Sequence, residues 1–407
     1  MTDCKRKQVI VYGVIITVSI VLGVVFVMLA FMGVRLIDAN PYNTYALQAD
    51  AWRRGMLDLG QDYPWLELAI YNEKYFCSFP PFPSYILLPF TFIFGSNTPD
   101  YFLLIGMNIL ACIYLYKLAV KIGATLVEAG WWTVFITLGS NTLFIMLSPS
   151  VWFFAQMMCF TTAVMAFYYA REGKGGVSLF FWAASVGCRP MQVLFLPILL
   201  FIMYRAERAK EKDLLLSKRI LRRWYWVMPM GILAVSYMAL NYLRFGSIIE
   251  FGHNYLPEFV RAEKGQFHID YLKQNFLQLF QLPQFDDNGM MVISHFGGLS
   301  ILIVNPIIVA MMIGIIYGIW KKDKQLVIVP LIIVCISTTY LIFIASHRTL
   351  GGWHFGNRYA IDILPYVYAG TIMMGVKLPK LIRYSVPLMM WGICLNIFGT
   401  LIVYIGL

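Results

Sequence analysis

Residues 38–83 read DANPYNTYALQADAWRRGMLDLGQDYPWLELAIYNEKYFCSFPPFP. This stretch follows a first apolar run, Val9 to Gly33, and delays the next full apolar span until about Tyr101. A channel or simple anchor turns back within a few residues. Here the chain spends about sixty residues, enough for a small layer of structure, on carboxylates, aromatics and a Pro-rich exit. The carboxylates are Asp38, Asp50, Asp58, Asp62, Glu67 and Glu73, and the exit is Phe79-Pro80-Pro81-Phe82-Pro83. Carboxylates held at a membrane face are the material of acid/base chemistry.

The rest of the chain is too apolar for water: of 407 residues, 60% are hydrophobic and 13% charged. Repeated apolar runs of roughly twenty residues predict transmembrane helices. They fall near 9–33, 101–120, 130–148, 151–170, 176–188, 190–204, 224–243, 299–319, 326–346, 359–376 and 385–405. The fold expected is an all-α membrane protein of about eleven spanning helices, in one integral-membrane domain over 1–407. Long outer loops at 34–100, 244–298 and 347–358 carry interfacial helices. Lys5-Arg6-Lys7 followed by an apolar run resembles a signal peptide, but no small-residue cleavage site precedes Asp38, so the run reads as an uncleaved helix.

Net charge is +11, and its placement is topological. With the N-terminus inside, most Lys and Arg fall on cytoplasmic segments, above all Arg205 to Arg223, while acidic residues predominate outside. The basic loops carry no nucleic-acid module, so a nucleic-acid partner is not expected. The seven cysteines form no close pair and read as packing residues, with neither a disulfide framework nor a metal site.

Within the first outer loop, Tyr42 to Leu59 reads as an amphipathic helix on the membrane, with Tyr45, Ala49, Trp52 and Met56 on one face. Ser84 to Gly95 is too short to span and reads as re-entrant or interfacial. Asp38, directly after the first helix, is either a capping aspartate or a base at a cavity mouth. Asp50 stands beside Trp52 and the partners Arg53 and Arg54. Arg189, between two short apolar runs, needs an anion or a carboxylate. Arg358 follows Gly351-Gly352-Trp353-His354-Phe355-Gly356-Asn357, whose glycines permit close approach and whose aromatics can line a slot. Its alternative is an ion pair with Asp362 one turn on. Asp286-Asp287 is either a turn before Asn288-Gly289 or a ligand pair for a divalent cation.

These features together resemble the GT-C superfamily of integral-membrane glycosyltransferases, relatives of protein O-mannosyltransferases and lipid A aminoarabinose transferases. The likeness rests on Tyr71-Asn72-Glu73-Lys74-Tyr75-Phe76 leading to Ser78–Pro83, on Asn241–Ser247 with Glu250-Phe251-Gly252, and on Phe355-Gly356-Asn357-Arg358-Tyr359 with Leu364-Pro365. It implies a polyprenyl-phosphate sugar donor, a lipid-linked or cell-envelope acceptor hydroxyl, surrounding membrane lipids, and a catalytic aspartate just past the first helix. Asp38 matches that position and Asp50 is the second choice; Ala39 stands where relatives carry a second acid, leaving a divalent cation possible but no ligand set implied. Arg189, Arg358 and Arg244 would hold the leaving phosphate, the first two on one group, and Trp353, His354 and Tyr359 would line the sugar subsite. The active site is expected on the extracytoplasmic side. The alternative is a transporter or flippase of a lipid-linked glycan.

Overall fold

The computed structural model describes residues 3–210, 223–289, 291–292 and 298–405; of the basic run Arg205–Arg223, residues 211–222 therefore lie outside the described residues. The described chain is mostly helical, with two short hairpins, Leu68–Tyr71 with Lys74–Cys77 and Gln284–Phe285 with Met291–Val292. The all-α expectation had no place for either hairpin. Among the described residues, eight helices are long and apolar enough to cross a membrane. The chain is a multi-pass membrane protein by that measure, since only lipid can cover the apolar side chains these helices leave exposed.

The described residues group into two compact units, one within 1–34, 108–147 and 269–407, the other within 35–107 and 148–268. In the first unit, Pro306–Trp320 packs against Leu364–Lys377, Pro379–Ile405 and Lys324–Ala345, and Asp3–Phe31 packs on Leu126–Leu138. The Leu126–Leu138 helix starts at a capping box, with Thr125 Oγ1 accepting from Glu128 N and Glu128 Oε2 from Thr125 N.

Two spans expected to be continuous are broken. The 130–148 run stops at Leu138 and resumes only as Thr142–Ile145. The 299–319 run splits into Ile301–Val304 and Pro306–Trp320, because Pro306 supplies no N–H for the helical ladder. Buried asparagines meet the freed backbone groups. Asn305 Oδ1 accepts from Asn141 N at 3.1 Å, and Asn396 Nδ2 donates to Val304 O at 2.9 Å. Asn141 Nδ2 in turn donates to Asn357 O at 2.9 Å. Each amide is fully buried, so the breaks are held by side chains distant in sequence.

In the second unit, Val151–Glu172 is the central helix, with 89% of its most apolar window buried inside the protein. It packs against Gly175–Val186 and Leu196–Lys210. The predicted Tyr42–Leu59 surface helix is shorter and deeper than expected. It runs Thr44–Arg53, ends at Gly55 in the left-handed region, and packs on Phe82–Phe94, the element expected at Ser84–Gly95. Seven of its ten residues are buried, so its apolar stripe meets protein.

Candidate functional site

The first hairpin delivers the candidate site of the second unit. Asn72 and Glu73 take φ of 48° and 61°, the two-residue turn whose twist matches that of paired strands. Leu68 then faces Cys77 across the ladder, and the chain runs inward through Cys77, Ser78 and Phe79, all buried. Gly252 closes over this strand end. At its φ of +107° a Cβ would sit 2.9 Å from the Phe245 ring and 3.2 Å from Ser78 Cα, so glycine is required twice over.

Two basic side chains reach the strand end from that closure. His253 Nδ1 lies 3.0 Å from Ser78 O, which fixes the tautomer that donates from Nδ1. Arg244, in the last turn of Val227–Phe245, donates from Nη1 to Cys77 O at 3.1 Å and from Nη2 to Asn241 Oδ1 at 3.0 Å. Its guanidinium carbon stands 4.8 Å from the Phe245 ring centroid. The side chain is 3% exposed, and its Nε has no hydrogen-bond partner among the described residues.

Arg189 approaches from the hinge between Gly175–Val186 and the 3-10 turn Pro190–Phe195. Its extended backbone, φ −141° and ψ 101°, is what a following proline imposes. Phe82 N donates to Gly187 O at 3.0 Å, which ties the Pro-rich exit to this hinge. Arg189 is half-buried, and its charge acts on both Tyr45 and His253. Burial holds the Tyr45 phenol well above its ordinary range, lifts the Cys77 thiol to about 11 and lowers His253. Cys77 is therefore an unreactive packing thiol, as are buried Cys112, Cys159 and Cys188.

Lowered His253 has a consequence for stability. The unfolded chain takes up a proton near the ordinary value of 6.5, whereas the folded state resists it. Stability contributed by His253 is present above that value and declines as pH falls through it. Unfolding of wild type and His253→Asn is expected to diverge with pH, the wild type losing more between about pH 7.5 and 5.5. Parallel curves would show that His253 is not held neutral.

The carboxylates of the first loop divide by use. Asp50, 7% exposed, accepts from Arg53 Nη2 at 2.7 Å and Nε at 3.1 Å and pairs with Arg54 Nε at 3.2 Å. The second choice for a base is thus an ion-paired carboxylate within its own helix. Asp58 pairs with Lys74 at 3.5 Å, and Glu67 accepts from Trp152 Nε1 at 2.9 Å. Asp38 is exposed and makes no side-chain hydrogen bond among the described residues; Asp62 is exposed as well. The chain beyond Asp38 is clamped, since Asn40 N donates to Asp100 Oδ1 at 3.1 Å and Val151 N to Tyr42 O at 3.0 Å. Asp50→Asn is expected to cost about 1–2 kcal/mol, the exposed arginines moderating the loss. Thermal unfolding measures this, and activity per folded molecule should survive; its loss would return Asp50 to the chemistry.

The 347–358 segment and the Arg358 turn belong to the first unit. Arg358 is 5% exposed, its guanidinium 5.2 Å from the Tyr359 centroid. Gly351, at φ +78°, covers it so closely that a Cβ would lie 3.0 Å from Arg358 Nε and Nη2. Asp362, its expected ion-pair partner, accepts from Tyr340 Oη at 2.7 Å. Trp353 is exposed at φ +49°, Tyr359 is half-buried and His354 is fully buried, so the three do not share one exposed slot. Asp286-Asp287 forms the hairpin turn, Asp286 Oδ1 accepting from Asn288 N at 2.9 Å. Among the described residues no group of three or more His, Cys, Asp and Glu is placed to hold a metal ion. Arg189 and Arg244 thus share a unit with Asp38 and Asp50, while Arg358 lies in the other.

Sequence reasoning missed the polar face of Thr44–Arg53, reading Tyr45 and Trp52 as apolar, and gave His253 no role. Asp100, 3% exposed and clamping Asn40, was given no role either. No family model, curated protein or solved structure matches this chain.

Proposed function

We propose that this chain is a membrane glycosyltransferase that moves a sugar from a polyprenyl-phosphate donor to an extracytoplasmic acceptor hydroxyl. The observation carrying this reading is the meeting of Arg244 and His253 at the Cys77–Ser78 strand end, in the unit that also holds Arg189. Guanidinium groups in a partly dry setting suit a phosphate, which they grip through paired N–H donors. The three shorter apolar helices, Leu126–Leu138, Gly175–Val186 and Pro306–Trp320, would complete eleven crossings with the N-terminus cytoplasmic.

In the reaction the acceptor oxygen attacks the anomeric carbon, and the bond from that carbon to the phosphate oxygen breaks with its electron pair. The departing phosphate has a second pKa of about 6, as in phosphoserine, so it needs no general acid. Asp38 takes the acceptor proton. Arg189 and Arg244 balance the growing phosphate charge.

Purified protein offered a panel of polyprenyl-phosphate sugars tests this directly. Turnover of one of them is expected, and Arg189→Ala should weaken donor binding by about 1.5–3 kcal/mol. Arg189→Lys should also suffer, because lysine keeps the charge and loses the fork. No turnover across the panel, or donor affinity unchanged in Arg189→Ala, would remove the reading.

A further inference from the structure

Cations collect where four helices of the second unit have their ends. Val151–Glu172 finishes there with Arg171 in its last turn, and Gly175–Val186 begins there after Lys174. Leu196–Lys210 runs into the same end with Arg205 and Arg208, and the Trp224–Trp226 turn opens Val227–Phe245 beside it. The carboxylates there are Glu172 and Glu207. Glu207, 6% exposed, already accepts from Arg223 Nη2 at 2.9 Å and Nε at 3.2 Å. The charge of Glu172 acts on Tyr168, one turn back on its own helix.

Arg171 is the cation that packing does not explain. It is half-buried on the central helix of the unit, and burial partly dehydrates it. The charge that acts on it is a second cation, Arg205, from the neighbouring Leu196–Lys210 helix. Among the described residues no carboxylate pairs with either arginine. Arg205 instead has its guanidinium carbon 5.9 Å from the Phe201 centroid. A last-turn arginine gains from the helix dipole, but that gain requires no second cation beside it. Two cations held close in a partly dry place repel unless an anion offsets them. Guanidinium groups meet phosphate through paired N–H donors.

The surroundings show what carries the phosphate. Trp224 and Tyr225, 64% and 47% exposed, open a spanning helix, the place of an interfacial aromatic belt. The Trp226 ring packs so closely on Gly175 that a Cβ has no room, which fixes this turn to the same end. Leucine and tyrosine at Leu200 and Tyr204 stand exposed just before Arg205, an apolar surface for acyl chains below a charged head. Arg189 follows the far end of Gly175–Val186, roughly 18 Å off at 1.5 Å per residue, so the site is separate from the proposed donor phosphate.

We propose that Arg171 and Arg205 together bind the headgroup phosphate of an anionic phospholipid. The site stands whether or not the chain transfers sugars.

The probes are phosphatidylglycerol, phosphatidylcholine with the same acyl chains, and glycerol phosphate, titrated into the full-length protein in detergent, with bound lipid counted by native mass spectrometry. Wild type should hold one phosphatidylglycerol at least roughly tenfold more tightly than phosphatidylcholine, whose choline cancels the charge. Arg171→Gln and Arg205→Gln should each lower that affinity roughly tenfold, as for one charge-assisted hydrogen bond. The double variant should fall short of the product, because the two side chains share a ligand. Without lipid, Arg171→Gln should unfold at the same temperature or higher, since a repulsion has been removed. Arg208→Gln takes an equal charge from the same end and should change affinity less than about twofold. Equal losses in Arg208→Gln and Arg171→Gln would reduce the effect to diffuse attraction and overturn the site. Phosphatidylcholine bound as tightly as phosphatidylglycerol would overturn it too. Glycerol phosphate that displaces phosphatidylglycerol at equal concentration would overturn the lipid and leave a soluble phosphate ester in its place.

Discussion

Asp38→Asn is expected to slow sugar transfer by about 10²–10⁴-fold, the usual loss when a positioned general base is removed. Folding and donor affinity should stay close to wild type. The carboxylate is exposed and makes no side-chain hydrogen bond among the described residues, so nothing in the packing depends on its charge. Its backbone is nevertheless held in place: Asp38 N donates to Arg35 O at 3.2 Å, and Asn40 N, two residues on, is bonded to the buried Asp100. A base needs that combination of a fixed backbone and a side chain open to the acceptor. Steady-state turnover with the donor found in the panel, read beside the thermal unfolding of the same variant, decides the matter. Turnover near wild type in Asp38→Asn would pass the role to Asp62, an exposed acid further along the same loop. Survival of both substitutions would end the single-carboxylate mechanism.

Gly298→Ala is expected to destabilise the first unit by about 2–4 kcal/mol, through backbone strain and a clash that add. Gly298 has φ +73°, a region that an L side chain enters at a cost. Its added Cβ would lie 2.6 Å from Gly356 O and 2.7 Å from Gly356 C. These are backbone atoms, so no rotamer change can relieve the contact. They lie two residues before Arg358, and Asn141 Nδ2 donates to the intervening Asn357 O. Displacing that peptide should therefore loosen the buried asparagines as well as Arg358. Thermal unfolding in detergent should show the loss. Gly246→Ala is the control, because it also has positive φ, +69°, but nothing lies within 4 Å of its added Cβ. Equal losses in the two variants would show that strain alone is responsible and that the close approach costs nothing.

Much of the architecture was legible in the sequence because it follows from local chemistry. Long apolar runs marked the spans, and Pro190, Pro306 and Pro365 stand where the structure begins or restarts helices. The Asp286–Gly289 turn follows from the Asn-Gly pair that closes it. Span continuity was not legible in the same way. Pro306 marks where 299–319 breaks, but not what meets the break: Val304 O accepts from Asn396 Nδ2 and Asn305 Oδ1 from Asn141 N, and neither partner is a neighbour in sequence.

The candidate site divides along the same line. The sequence by itself determined that the chain enters lipid repeatedly and that its carboxylates collect after the first helix. It also showed that arginines interrupt apolar runs at 189, 244 and 358. Hydrophobic length and charge are additive along a chain, so they can be read without knowing what touches what. Only the tertiary structure decided what each charge is for. It turned Asp50 into an ion pair, left Asp38 exposed, brought Arg244 and His253 to Cys77 and Ser78, and buried Tyr45 Oη and Gln48 Nε2 with no partner among the described residues. Those outcomes depend on desolvation and on hydrogen bonds between residues far apart in the chain, and such pairwise terms exist only once the backbone has folded.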